Sequence, residues 1–173
     1  MTRLLSIFGV VVVCTVLGVM ARSNDHNTVP VRFPSTYYGY IQQNATYDSN
    51  FFYAIRGNQN GTFREKAPLV LFLQGGPGAT SLFSDYLETG PQKLIATNTT
   101  EGFALVEREH TWVKHANMLY VDNPIGTGFS YTNSTNGFST TDEQIAENLL
   151  DFLKKFLVKH DEYAKTPFWV FCE

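Results

Sequence analysis

Twice in this chain an unbroken apolar run stops at a glycine loop. APLVLFLQ (67–74) ends at Gly75-Gly76-Pro77-Gly78, and NMLYVDN (117–123) ends at PIGTGFSYT (124–132). A run that is apolar throughout, rather than at alternate positions, is the pattern of a strand buried on both faces, so it needs structure above and below it. A third such run, FWVFCE (168–173), follows a helical segment. Over 139–160, Ile145, Leu149, Phe152, Leu153, Phe156 and Leu157 recur at the 3.6 period, with Glu147, Asp151 and Lys155 opposite. Thr140 with Glu143 predicts a capping box, Asp151 with Lys155 an i,i+4 pair, and His160 is placed to favour the C-terminal dipole. Upstream, TYYGYIQ (36–42) and SNFFYAIRG (49–57) predict an antiparallel hairpin turning over 44–48, and a polar connection, RGNQNGTFREKAP (56–68), leads into the first buried strand. Strand, glycine loop, strand, glycine loop, helix and strand make an α/β layout with crossover connections. Such sheets meet their ligands at the carboxyl ends of the strands.

The glycine loop after Gln74 has few possible uses. It lacks G-x-x-x-x-G-K-S/T and G-x-G-x-x-G, so a nucleotide-binding loop is not indicated. His26, His110, His115 and His160 are not spaced as metal ligands with Cys or Glu, and no metal or cofactor is expected. A net charge of −3 without a Lys/Arg cluster gives no sign of a nucleic-acid partner. Two readings remain open on the loop alone: a tight turn, or backbone N–H groups aimed at a developing oxyanion, where Gly lets the main chain come close.

The first 21 residues are distinct from the rest. Arg3, a run from Leu4 to Val19 and Val19-Met20-Ala21 predict a cleaved signal peptide over 1–21, with a single domain over 22–173. The run is broken by Ser6, Gly9, Thr15 and Gly18, which disfavours a permanent membrane anchor. Residues 24–36 read as an extended lead-in. Four sequons, at Asn44, Asn60, Asn98 and Asn133, agree with a secretory route to the lysosome or the extracellular space. Cys14 would leave with the leader, so Cys172 stands alone, lacking a partner or buried as a thiol.

The oxyanion reading demands a later strand ending in a sharp turn with a nucleophile, usually G-x-S-x-G. FWVFCE is a strand at the right remove, and the residue expected next is that serine. Cys172 itself, within a buried strand and with no motif placing a His beside it, does not read as the nucleophile.

LFLQGGPGATS (71–81), NMLYVDNPIGTGFSY (117–131) and PFWVFCE (167–173) resemble the serine carboxypeptidases in order and spacing. YYGYIQQNATYDSNFFYAI (37–55) looks most like the vitellogenic-like branch. The resemblance implies the N-terminal part of an α/β-hydrolase fold, with a mixed, mostly parallel sheet and flanking helices. It also implies acyl-enzyme removal of C-terminal residues from peptides. Gly76 falls at an oxyanion-donor position. Gln74, Gly75, Glu88 and Glu173 fall where the family binds the substrate's free carboxylate. Carboxyls gathered around a carboxylate need a shared proton, so binding should weaken as pH rises. The resemblance places the triad Ser, Asp and His beyond these residues, leaving the 173-residue chain inactive alone. Three positions depart from the pattern: Gln74 for the common Asn, Ala79 for a Cys that is usually paired, and Cys172 for a common Gly. The rival reading is a truncated, non-catalytic secreted glycoprotein, and an unpaired apolar strand edge argues against it.

Overall fold

The computed structural model describes residues 36–60, 66–98, 100 and 102–173. The expected leader over 1–21, the lead-in before Thr36 and His26 lie outside them. Among the described residues five strands make one sheet, in the order β1 (Thr36–Asn44), β2 (Ser49–Arg56), β6 (Asn117–Val121), β3 (Leu69–Leu73) and β7 (Phe168–Cys172). The expected hairpin is β1 and β2, antiparallel, and β2 pairs antiparallel with β6. β3 lies parallel to β6 on one side and to β7 on the other. The half of the sheet that carries both glycine loops is therefore parallel.

Period-two alternation explains why the central strands are apolar throughout. Phe51, Tyr53, Ile55, Leu69, Leu71, Leu119 and Val121 face one layer, together with Phe152 and Phe156 of α1 (Asp142–Lys159). Ala54, Val70, Phe72, Met118 and Tyr120 face the other, against Val113 and Ala116. Leu149, Leu153 and Leu157 complete the buried stripe of α1, and Lys155 bonds Asp151 at 2.6 Å as the spacing predicts.

The helix start is one residue later than expected. Thr141 is the N-cap and accepts from Gln144 N at 3.3 Å. Gln144 Oε1 reaches back to Thr140 N at 2.8 Å. Thr141 and Gln144 have the Thr-x-x-Gln spacing of the box, but the return bond of Gln144 goes to Thr140 N, one residue before the N-cap.

The stretch between the first glycine loop and β6, where the sequence predicts no elements, is structured. A short π-helical turn spans Ser84–Thr89, and β4 (Gln92–Ala96) pairs antiparallel with β5 (Phe103–Glu107) in a separate hairpin.

Candidate functional site at the carboxyl ends of the parallel strands

Because β6, β3 and β7 run parallel, their carboxyl ends meet at one edge of the sheet. The 122–130 loop follows β6, the 74–81 loop follows β3, and Glu173 follows β7. The pairing of Leu73 with Cys172 sets Gln74 next to Glu173. Gln74 Nε2 donates to Glu173 Oε2 at 2.5 Å, and Glu173 N donates to Leu73 O at 3.3 Å.

Backbone geometry explains the first two glycines of the loop. A Cβ on Gly75 would sit 2.9 Å from the Glu173 carbonyl oxygen, so only Gly lets the ends of β3 and β7 approach this closely. Gly76 has φ +122°, which an L side chain resists. The Gly76 residue is exposed, and no described group accepts a hydrogen bond from its N–H. Its donor is thus free to face a ligand beside the Gln74–Glu173 pair.

A buried carboxylate that the sequence reading missed ties the two glycine loops together. Asp122, 1% exposed, accepts from Thr80 Oγ1 at 2.7 Å and Ser81 N at 2.9 Å in one loop, and from Phe129 N at 2.8 Å in the other. Ser81 Oγ donates to Val121 O at 2.6 Å and accepts from Gln74 N at 3.1 Å. The position of Gln74 is therefore fixed from two strands at once. A carboxylate closing an otherwise apolar buried run was the available signal, because such a group must find donors.

Ser84, fully buried, donates its hydroxyl to Gln74 Oε1. This contact points the amide nitrogen at Glu173. Ser84 belongs to the π-helical turn that also carries Glu88. Glu88 is half-buried, and among the described residues it hydrogen-bonds to neither Gln74 nor Glu173. Gln74, Gly75 and Glu173 thus come into contact, while Glu88 stands on the adjoining turn.

Two arginines clamp that turn. Arg56, at the end of β2, donates to Asp85 from Nε (2.8 and 3.1 Å) and from Nη2 (2.5 Å), and to Tyr86 Oη at 2.9 Å. Arg108 donates to Tyr86 O at 2.9 Å and Gly90 O at 3.0 Å. Desolvation works against charge on both members of the Arg56–Asp85 pair, lowering Arg56 and raising Asp85, and their mutual bonds oppose it. For Arg56 the pairing prevails and its pKa is raised. Breaking such a pair by removing one partner costs about 3–5 kcal/mol, because it strands a buried charge. Among the described residues no cluster of His, Cys, Asp and Glu could hold a metal ion.

Two other candidates sit differently from the sequence expectation. Cys172 is free and exposed rather than enclosed in a buried strand, because β7 is an edge of the sheet. His160 is 7% exposed rather than a solvated cation at the helix end. Tyr53 Oη lies 2.7 Å from its Nε2, Glu162 Oε1 lies 3.2 Å from its Nδ1, and burial holds its pKa below the ordinary 6.5. Of the four sequon residues, Asn44, Asn60 and Asn98 are exposed, as is Asn133. Asn133 Nδ2 is engaged with Asp48 Oδ2 at 2.9 Å.

Comparison with known proteins agrees with this architecture. The family model described as serine carboxypeptidase matches residues 26–173. The chain is 45% identical over 135 residues to the probable serine carboxypeptidase CPVL of Dictyostelium discoideum, covering 78% of this chain and 26% of the relative. It is 39% identical over 136 residues to the vitellogenic carboxypeptidase of Aedes aegypti, covering 78% and 27%. The solved structure of Kex1(delta)p, a prohormone-processing carboxypeptidase of Saccharomyces cerevisiae, superposes with a TM-score of 0.70 at 23% identity. That match covers 83% of this chain and 32% of the yeast chain, and it shows a shared α/β-hydrolase fold. The chain spans about a quarter of the length of the curated relatives it matches. Over nearly all of the sequence after the predicted leader, this chain belongs to the serine carboxypeptidase family.

Proposed function

We propose that this chain supplies the substrate-carboxylate site and one oxyanion donor of a serine carboxypeptidase. The reaction would release C-terminal amino acids from peptides through an acyl-enzyme. The observation that carries the reading is the Gln74 amide held against the Glu173 carboxylate, beside a Gly76 N–H that no described group uses. In this reading Gln74, Gly75 and Glu173, with Glu88 from the adjoining turn, bind the peptide's free carboxylate, and Gly76 stabilises the tetrahedral intermediate. One such donor is worth roughly 3 kcal/mol of barrier. In this reading the serine follows Glu173 directly and the triad Asp and His lie further on, which agrees with the chain covering 26% of a relative's length. The predicted leader and four sequons support synthesis through the secretory pathway, toward the lysosome or the cell exterior.

The test begins with the coding sequence after codon 173. A frame continuing with Ser, expressed and assayed on peptides with free and amidated C-termini, should release amino acids only from the free ones. Replacing that serine with Ala should cost 10³-fold or more in kcat. The 173-residue chain by itself should show no turnover above background. Turnover by the short chain, or equal action on amidated peptides, would refute the assignment.

A further inference from the structure

A polar cavity of about 170 Å³ opens where the β1–β2 turn, residues 136–139 and α1 meet, with Gln43, Asn44, Tyr47, Phe138, Glu147 and Asn148 in its lining. Gln74, Glu88 and Glu173 do not line it. Among the described residues Gln43 Oε1 finds no hydrogen-bond partner and is buried there, an acceptor that calls for an occupant. At the cavity wall stands a sequon asparagine, Asn44 of Asn44-Ala45-Thr46. Its Oδ1 accepts from Thr46 N at 2.9 Å and Tyr47 N at 3.2 Å. This Asx turn fixes the side chain and leaves Nδ2, the atom that carries a sugar, with no described partner. At Asn133, by contrast, Nδ2 donates to Asp48.

We propose that Asn44 is glycosylated and that the first, N-acetylated sugar of its glycan folds back into this cavity, pinning the β1–β2 turn to α1. The lining suits such a ring. Gln43 Oε1 and the Glu147 carboxylate can accept from its hydroxyl and amide N–H groups, and Tyr47 and Phe138 offer apolar surface to its carbon face. The proposal rests on the secretory route of the functional reading. In the transfer, Asn44 Nδ2 attacks the anomeric carbon of a lipid-diphosphate-linked oligosaccharide. The C–N bond forms as the bond from that carbon to the diphosphate oxygen breaks, the amide nitrogen loses one proton, and the lipid diphosphate leaves.

The experiment expresses the full chain through the secretory pathway of an insect-cell host and uses the soluble, cooperatively unfolding fraction. Each sequon is followed by peptide mass spectrometry during digestion with an endoglycosidase that cuts between the first two sugars, on native and on denatured protein. Asn44 should be occupied, and its glycan should be cut at least ten-fold more slowly in the native protein than after denaturation. Glu147→Ala and Asn136→Ala, both at exposed cavity residues, should remove that protection. Equal native and denatured rates, protection unchanged in both variants, or an empty Asn44 beside an occupied Asn98 would overturn the seat and leave the secretory route standing. Four empty sequons would overturn both.

Discussion

Ser84 decides which way the Gln74 amide points. A buried hydroxyl donating to Oε1 leaves Nε2 turned toward Glu173, so in the proposed reading the donor for a substrate carboxylate is aimed in advance. Without Ser84 the amide can flip and present its oxygen to an anion. Under the proposed function, in a version that carries the serine, Ser84→Ala should raise KM for peptides about five-fold, the worth of a net hydrogen bond of about 1 kcal/mol, with kcat nearly unchanged. A fall in kcat at constant KM would show that Ser84 acts on the chemistry instead. Gln74 and Glu173 were legible in the sequence, because each ends an apolar strand and the family motifs cover both. Ser84 was not, since a single Ser in FSDYLE has no pattern and its partner lies ten residues away in the chain. Asp122 was half legible: its strand was clear, but its three donors come from loops that only the fold brings together.

At the scale of elements, helix α1 and the central strands were readable because burial writes a period into the sequence, 3.6 for the helix and unbroken apolarity for the strands. The β4–β5 hairpin was missed. Its side chains are mostly exposed, so neither face carries an apolar stripe, and only the two short runs around Asn98 hint at it. The end of α1 shows how packing overrules a local rule. A His at a helix C-terminus favours the dipole when charged, but Tyr37, Tyr53, Phe156 and Tyr163 surround this ring and strip it of water. Lys159, close to the Tyr37 and Tyr53 rings, further disfavours a second positive charge, while Glu162 favours it; burial dominates. The folded chain therefore keeps His160 neutral at a pH where the unfolded chain takes up a proton. Below the ordinary value of 6.5 the unfolded state binds more protons, so this residue's contribution to stability is present above that pH and is lost as pH falls toward the folded pKa. The slope cannot exceed about 1.4 kcal/mol per pH unit for one group. Urea midpoints at pH 7.5 and 5.5 should show a drop on acidification that is smaller in His160→Gln, where the amide can still accept from Tyr53 Oη. An equal drop in both proteins would remove His160 as the cause.

Across the whole molecule the sheet is unevenly covered. β1, at one edge, packs partly against α1, whereas among the described residues β7 pairs only with β3 and exposes Trp169 (59%), Val170 (47%) and Phe171 (45%). An apolar edge strand with unpaired backbone groups is a template for another chain. The run FWVFC reads in the sequence as a strand buried on both faces, and its place at the end of the strand order is what leaves it exposed. The 173-residue chain should therefore associate with rising concentration, in reductant so that the exposed Cys172 forms no disulfide. Val170→Lys places a charge at a half-exposed position of the edge strand, beside its buried register partner Leu71 on β3. Sedimentation velocity should show the variant several-fold less associated than the parent at equal concentration. Equal association would move the contact elsewhere, with the exposed β4–β5 hairpin the next surface to change. A monomeric parent would mean that β7 is already protected by how its ends and side chains lie. The same edge adjoins the candidate site, because Glu173 follows β7 directly and contacts Gln74 with no strand paired to that edge among the described residues.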